Sequence, residues 1–188
     1  MLRNNLFYIQ DSAPIIQSYL VAGAFNNYTM RNIMYKKYFN SLIRRYKYNR
    51  NLTIAMVDGI NNSNNYNLRS IKREIKRYCE DATILSLIYD GIPGVNVEII
   101  PEAGFFIILN FTEFSNSSNY KTEKQILTLF YKECNIKFLV GQSFSWPNND
   151  IIVRLAYSLD RQELIVALIK MNLKMREVYR NETNRNNC

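Results

Sequence analysis

One arginine interrupts the apolar segment Ile151–Tyr157, in which Arg154 lies between Val153 and Leu155. The length and the β-branched residues of this segment predict a strand. Burial of a guanidinium without a partner is very costly, so Arg154 needs a carboxylate, either from the chain itself or from a ligand. The planar fork of arginine suits two-point binding of a carboxylate. An edge-strand arginine that reaches solvent or an internal glutamate is the alternative, and the residue chemistry alone leaves both interpretations open.

The composition limits the other chemistry that the chain can support. The 188 residues include no histidine, which excludes a serine–histidine–aspartate triad, histidine-ligated metals and an imidazole acid or base. Three cysteines, Cys79, Cys134 and Cys188, are far apart and form no C-x-x-C pair, so they predict neither a disulfide framework nor a zinc site. Any reactive group must therefore be a lysine, tyrosine, cysteine or carboxylate, or belong to a cofactor.

The chain is basic, with 24 Lys and Arg against 16 Asp and Glu and a net charge of +8. Such a balance invites a nucleic-acid partner. The charge is spread along the chain, however, and the dense run Lys72–Arg77 lies opposite Leu68, Ile71 and Ile75 at helical spacing. We interpret this run as a solvated helix face, which makes nucleic acid the less favoured partner. We expect no membrane span and no signal peptide, and the cysteine usage favours the cytoplasm.

The first half of the chain is predicted to be mainly helical. Asp11 or Ser12 caps a helix with Pro14 in its first turn, and Tyr28–Tyr48 has an aromatic-rich helical pattern. The segment Leu52–Val57 fits a buried strand or more helix, and periodicity does not decide between them.

The second half predicts strand, strand, helix, strand, strand, helix. Thr122 and Gln125 have the spacing of a capping box at the start of the first of these helices. The natural packing of this order is a small mixed sheet with helices on one side, an α/β (mixed α+β) class. The predicted elements are Val95–Ile100, Phe105–Phe111, a helix opened by Thr122, Ile136–Val140, Ile151–Tyr157 and a helix from Asp160.

Segments of this half stand in the order found in class I/II pyridoxal-phosphate-dependent aminotransferases. Pro101–Phe111 resembles the family's P-x-G-G-F-Y/F strand, Lys137–Phe144 its V-x-x-x-P-G-x-x-F loop, and Val153–Ser158 its R-L-A/S-Y/F strand. Ser12–Tyr19 is similar to the segment that opens the helix after the Schiff-base region. The resemblance implies the C-terminal small domain of a fold-type-I transferase. Within it, residues 1–50 resemble the end of the large domain and the interdomain helix, residues 51–182 form the small domain, and residues 183–188 are a frayed tail.

The resemblance also implies roles for individual residues. Arg154 matches the arginine that binds the α-carboxylate of the substrate, and Gly104 and Phe105 match a substrate-side turn that faces the cofactor pocket. Two positions depart from the family pattern, since Ala103 replaces the first glycine of the pair and Val140 stands where a proline is usual. Further matches are Gly141, Ser143 and Phe144 in the loop before the arginine strand, and Ser12 and Pro14 near the dimer-related active site.

The parts of such enzymes that hold the cofactor lie upstream of the matching region. Lys36, Lys37 and Lys47 follow the segment at Ser12, so none of them occupies the place of the Schiff-base lysine. The resemblance therefore implies pyridoxal phosphate for the family but not for this chain alone, with no catalytic residue in this chain and no metal. A separate N-terminal chain or a homodimer partner would supply the rest, and amino acid and keto acid would then be the substrates. A non-catalytic remnant or protein-interaction domain is the alternative, and a basic RNA- or DNA-binding module is a weaker one.

Overall fold

The computed structural model describes residues 28–60, 68–102, 104–144, 146 and 150–186. Ser12 and Pro14, which the resemblance implies near the dimer-related active site, and Ala103, which departs from its pattern, lie outside these residues. The chain divides into two compact units, residues 1–47 and 48–188. The site below belongs to the second unit, and the predicted division at residues 50 and 51 stays a prediction.

The described residues form six helices and a four-stranded sheet, which confirms the predicted α/β class. No helix among them is both long and apolar enough to cross a membrane. The helices are α1 (Tyr28–Asp58), α2 (Leu68–Lys76), α3 (Ala82–Tyr89), α4 (Thr112–Ser117), α5 (Glu123–Cys134) and α6 (Arg161–Asn186), and the strands are β1 (Asn96–Ile99), β2 (Phe106–Asn110), β3 (Leu139–Val140) and β4 (Ile152–Ala156).

Several elements differ from the sequence prediction. The segment Leu52–Val57 is helical, because α1 continues to Asp58, and α6 continues to Asn186, through part of the predicted tail. The sheet is not mixed: its order is β1-β2-β4-β3 and every neighbouring pair is antiparallel. The third strand is limited to Leu139–Val140, the residues that pair with β4.

The two faces of the sheet have different surroundings. Ile107, Leu109, Val153 and Leu155 alternate along β2 and β4 and are at most 5% exposed, because helices cover this face. Beyond the end of β2, the ring of Phe111 lies edge-on to Phe114 of α4, Phe130 of α5 and Phe138, with ring centroids 6.4, 5.5 and 5.8 Å away. This apolar and aromatic layer is the core on which the helices pack.

Two glycines allow the ends of α1 and α3 to meet. Gly59 and Gly91 have φ values of +96° and +89°, a region that favours glycine. A Cβ on Gly91 would lie 2.7 Å from both the Val57 carbonyl oxygen and the Gly59 nitrogen. The close approach lets the Ile92 N–H donate to the Val57 carbonyl at 2.8 Å, which joins the end of α1 to the chain entering β1.

The last helix is fixed to the same region by polar side chains. The Nδ2 of Asn172 donates to the Gly91 carbonyl at 2.7 Å, and an Nη2 of Arg176 donates to the carbonyls of Leu87 and Gly91 at 2.6 and 3.0 Å. Burial lowers the pKa of Arg176, opposed by the charge of Asp90. The contacts join residues about 80 positions apart, so α6 closes the core that the earlier elements begin.

The predicted capping box of α5 is present and gives a test of the fold. The Thr122 hydroxyl accepts from the Gln125 N–H at 3.3 Å, while the Gln125 side chain accepts from the Thr122 N–H at 3.1 Å. Thr122→Ala should lower the free energy of unfolding by about 1 kcal/mol, measured by urea denaturation, because the first turn loses an acceptor. Thr128→Ala on the same helix is the control and should change it by less than about 0.5 kcal/mol. Equal effects of the two substitutions would contradict the capping role.

Candidate functional site

Arg154 lies at the centre of the sheet face opposite to the one that carries Ile107, Leu109, Val153 and Leu155. It pairs with Ile108 of β2 on one side and with Leu139 of β3 on the other, so these three residues share a face. Arg154 is partly buried, and on the same face Phe106 and Leu139 are 38% and 47% exposed. Because side chains alternate along a strand, Val153 and Leu155 enter the core while the guanidinium stays outside it.

The ring of Phe106 lies against the guanidinium of Arg154. The Cζ of Arg154 is over the Phe106 ring, 4.1 Å from its centroid. Phe106 pairs with Ala156, which makes it a diagonal neighbour of Arg154 across the β2–β4 ladder. At this separation the π face of the ring attracts the cation.

The predicted turn at Gly104 and Phe105 is held against the end of β4 by Tyr157. The Tyr157 hydroxyl donates to the Gly104 carbonyl at 2.7 Å, and its N–H donates to the Phe105 carbonyl at 2.9 Å. Gly104 has a φ of +97°, and a Cβ there would meet no atom within 4 Å. The glycine is therefore required by its backbone conformation and not by crowding.

Helix α1 supports the same end of the strand. The Nδ2 of Asn49, a fully buried residue, donates to the carbonyls of Tyr157 and Leu159 at 3.0 and 3.1 Å. The adjacent Arg50 donates through Nη1 to the Pro101 carbonyl at 2.8 Å. Burial raises the pKa of Tyr157, partly offset by the charge of Arg50. The turn from Pro101 to Phe105 is thus tied to both α1 and β4.

The predicted loop before the arginine strand adjoins the opposite end of β4. Residues Gly141–Phe144 form a 3₁₀ turn directly after β3. Gly141 is buried, and a Cβ on it would lie 3.1 Å from the Cβ atoms of Ile152 and Trp146. Ser143 is exposed. The two loops that the resemblance singled out therefore flank β4 at its two ends, with Arg154 midway between them.

Three residues that contribute to this arrangement were missed in the sequence. Phe106 shares the face of Arg154 only once the pairing of β2 with β4 is known. Tyr157 and Asn49 act through backbone carbonyls, which no residue pattern reveals. The one available signal was the alternation along Phe105–Phe111, which assigns Phe106 and Ile108 to the same face.

The arrangement can bind an anion but offers no obvious group for covalent chemistry. The strand neighbours of Arg154 on its face are Phe106, Ile108, Asn110, Leu139, Ile152 and Ala156, and none of them has a titratable side chain. Burial raises the pKa of the Cys134 thiol, which disfavours the thiolate nucleophile. No group of three or more His, Cys, Asp or Glu residues suited to a metal occurs in the part of the chain that the structure describes.

Comparison of the sequence with protein-family models and with curated proteins finds no match. Among solved structures, the chain is similar to a crystal structure of the aspartate aminotransferase from Rhizobium meliloti, with a TM-score of 0.40 and 14% identity. The similarity covers 61% of this chain and 28% of the other, so this chain corresponds to less than a third of that protein. The similarity is weak and concerns the fold.

Replacing Tyr157 with phenylalanine tests how the turn is held. Tyr157→Phe should lower the free energy of unfolding by about 1 kcal/mol, because the Gly104 carbonyl loses its donor. Amide exchange of the 104–106 backbone should become faster in the same variant. Tyr131→Phe, at a residue that is 53% exposed, is the control and should leave both measurements unchanged. Unaltered exchange in Tyr157→Phe would show that the hydroxyl does not hold the turn.

The wild type and Tyr157→Phe also allow a test of the pH dependence of stability. The pKa of Tyr157 is raised above its usual value of 10.0 in the folded state, so the folded state holds this proton more tightly than the unfolded state does. The corresponding stability is complete below the unfolded pKa and is lost as pH rises through the folded pKa. The stability advantage of the wild type over Tyr157→Phe should therefore shrink above about pH 10 in denaturant titrations. A constant difference across that range would contradict the raised pKa.

Proposed function

We propose that this chain is the carboxylate-binding, small-domain part of an aminotransferase-like protein. The observation that carries the proposal is the position of Arg154, whose guanidinium lies against the Phe106 ring on the face of the sheet opposite the core, midway between two loops. Arginine binds a carboxylate through two parallel hydrogen bonds, and apolar surroundings strengthen such a charge-assisted pair. The ligand is the α-carboxylate of an amino acid or keto acid.

The order of the sequence segments supports this role over a general anion site. The turn at Gly104 and Phe105, the loop at Gly141 and the strand of Arg154 follow one another as in the aminotransferases that they resemble. In the structure, both loops adjoin the same strand as the arginine. A non-catalytic interaction domain would require neither this order of segments nor a guanidinium on the face of the sheet that carries Phe106 and Ile108.

The residues around Arg154 do not by themselves fit pyridoxal phosphate. Its chemistry in such proteins requires a lysine amine for the imine and a carboxylate beside the ring nitrogen. Phe106, Ile108, Leu139 and Ala156, which share the face of Arg154, supply neither group. The cofactor and the catalytic lysine would therefore come from a separate N-terminal chain, assembled with this one as a heteromer or a dimer, and amino-group transfer would require that complement.

Co-expression with the open reading frame directly upstream of the gene tests this proposal. We expect a stable complex that absorbs as a bound pyridoxal phosphate and transfers amino groups between an amino acid and a keto acid. Arg154→Gln in the complex should lower kcat/KM by about 30-fold or more, equivalent to about 2 kcal/mol, because the carboxylate loses its charged donor.

Arg73→Gln is the matched control, since it removes the same charge from an exposed position on α2. It should leave kcat/KM unchanged. A complex with neither cofactor absorbance nor transfer activity would overturn the proposal. Equal activity of the Arg154→Gln and Arg73→Gln complexes would overturn the role of Arg154 within it.

A further inference from the structure

We infer that Phe106 is a positioning residue for Arg154, and that its ring holds the guanidinium so that one edge is presented to a planar carboxylate. This inference rests on the proposed function, because it concerns the same carboxylate site. It adds a residue that does not itself bind the ligand. Its basis is the contact between the two side chains and their places in the β2–β4 ladder.

The ladder fixes the distance between the two residues. Phe106 pairs with Ala156 and Ile108 pairs with Arg154, so Phe106 and Arg154 are diagonal neighbours on one face. Diagonal partners are about 7–8 Å apart at Cα, a separation that only long or aromatic side chains can bridge. The observed Cζ-to-centroid distance of 4.1 Å shows that these two side chains do so.

Positioning matters because a free arginine side chain has many rotamers. Ordering such a side chain on binding costs free energy, and a side chain that is already held does not incur that cost again. A ring on one side of the guanidinium limits its rotation and fixes the plane in which its N–H groups lie. Two parallel hydrogen bonds to a carboxylate use those in-plane groups.

The exposure of Phe106 distinguishes this role from packing. The ring is 38% exposed, whereas its strand neighbours Ile107 and Leu109 are fully buried on the covered face. Substitution of Phe106 should therefore disturb the core little. The main effect of the substitution should be on the side chain of Arg154, the cation–π partner of Phe106 on the same face.

Nitrogen-15 NMR of the full chain tests the inference on the guanidinium itself. The Nε–Hε signal of Arg154 is assigned by its loss in Arg154→Lys. We expect the ring current to shift this signal in the wild type and in Phe106→Tyr. In Phe106→Leu the signal should remain, without that shift. Titration with pyruvate, a planar 2-oxo acid, should give a Kd that rises about two- to fivefold in Phe106→Leu and is restored in Phe106→Tyr.

The outcomes separate this inference from the proposed function. If Phe106→Leu leaves both the signal and the Kd unchanged, or if Phe106→Tyr behaves like Phe106→Leu, the positioning role is wrong and the proposed function stands. If the wild-type chain does not bind pyruvate, the carboxylate ligand assigned to Arg154 and Phe106 is wrong. If the displacement depends on Phe106 and pyruvate binds, but the co-expressed complex transfers no amino groups, the positioning role stands and the proposed function fails.

Discussion

The alternation of side chains along β4 is the constraint on which the packing of the rest of the domain depends. Val153 and Leu155 must be buried, and the guanidinium between them must stay out of the core, since an uncompensated guanidinium there would cost several kcal/mol. A sheet covered by helices on both faces would leave no place for Arg154. The antiparallel sheet covered on one face accommodates all three residues, because successive side chains point to opposite sides.

The polar contacts of the domain fix the ends of that strand. At one end, Tyr157 bonds the Gly104 turn while Asn49 of α1 bonds the carbonyls of Tyr157 and Leu159. At the other end, Gly141 is buried beside Ile152, and an added Cβ would be tight there, 3.1 Å from the Ile152 Cβ. Since both ends of the strand are packed against neighbouring loops, the backbone position of Arg154 is set by the scaffold, and only the direction of its side chain remains to be fixed. The contact with the Phe106 ring restricts that direction.

The sequence predicted the parts of this arrangement that depend on local pattern. The helix from Asp160 and the capping box at Thr122 and Gln125 depend on local pattern, and both agree with the structure. The continuation of α1 through Leu52–Val57 was undecided, because a buried helix and a buried strand have the same apolar composition over six residues. The antiparallel pairing and the contact of Phe106 with Arg154 depend on residues about 50 positions apart, which a single sequence does not reveal. The sequence prediction missed the short helix α3. Its residues are mostly apolar, and the cap that Asp81 provides to the N–H groups of Thr83 and Ile84 was not recognised in the sequence.

The edges of the sheet affect how the domain can associate. The edge strand β1 has its Val97 N–H taken by the carboxylate of Asp58 at 2.9 Å, and β3 pairs through only two residues. Strand addition relies on unpaired backbone groups for its affinity, whatever side chains the added strand carries beside them. Association through the face that carries Arg154 depends on side chains instead, so a partner with an anionic group suits the guanidinium better than one with only apolar groups. The positive charge of Arg154 on this face thus favours a surface or ligand that carries an anion over a purely apolar one.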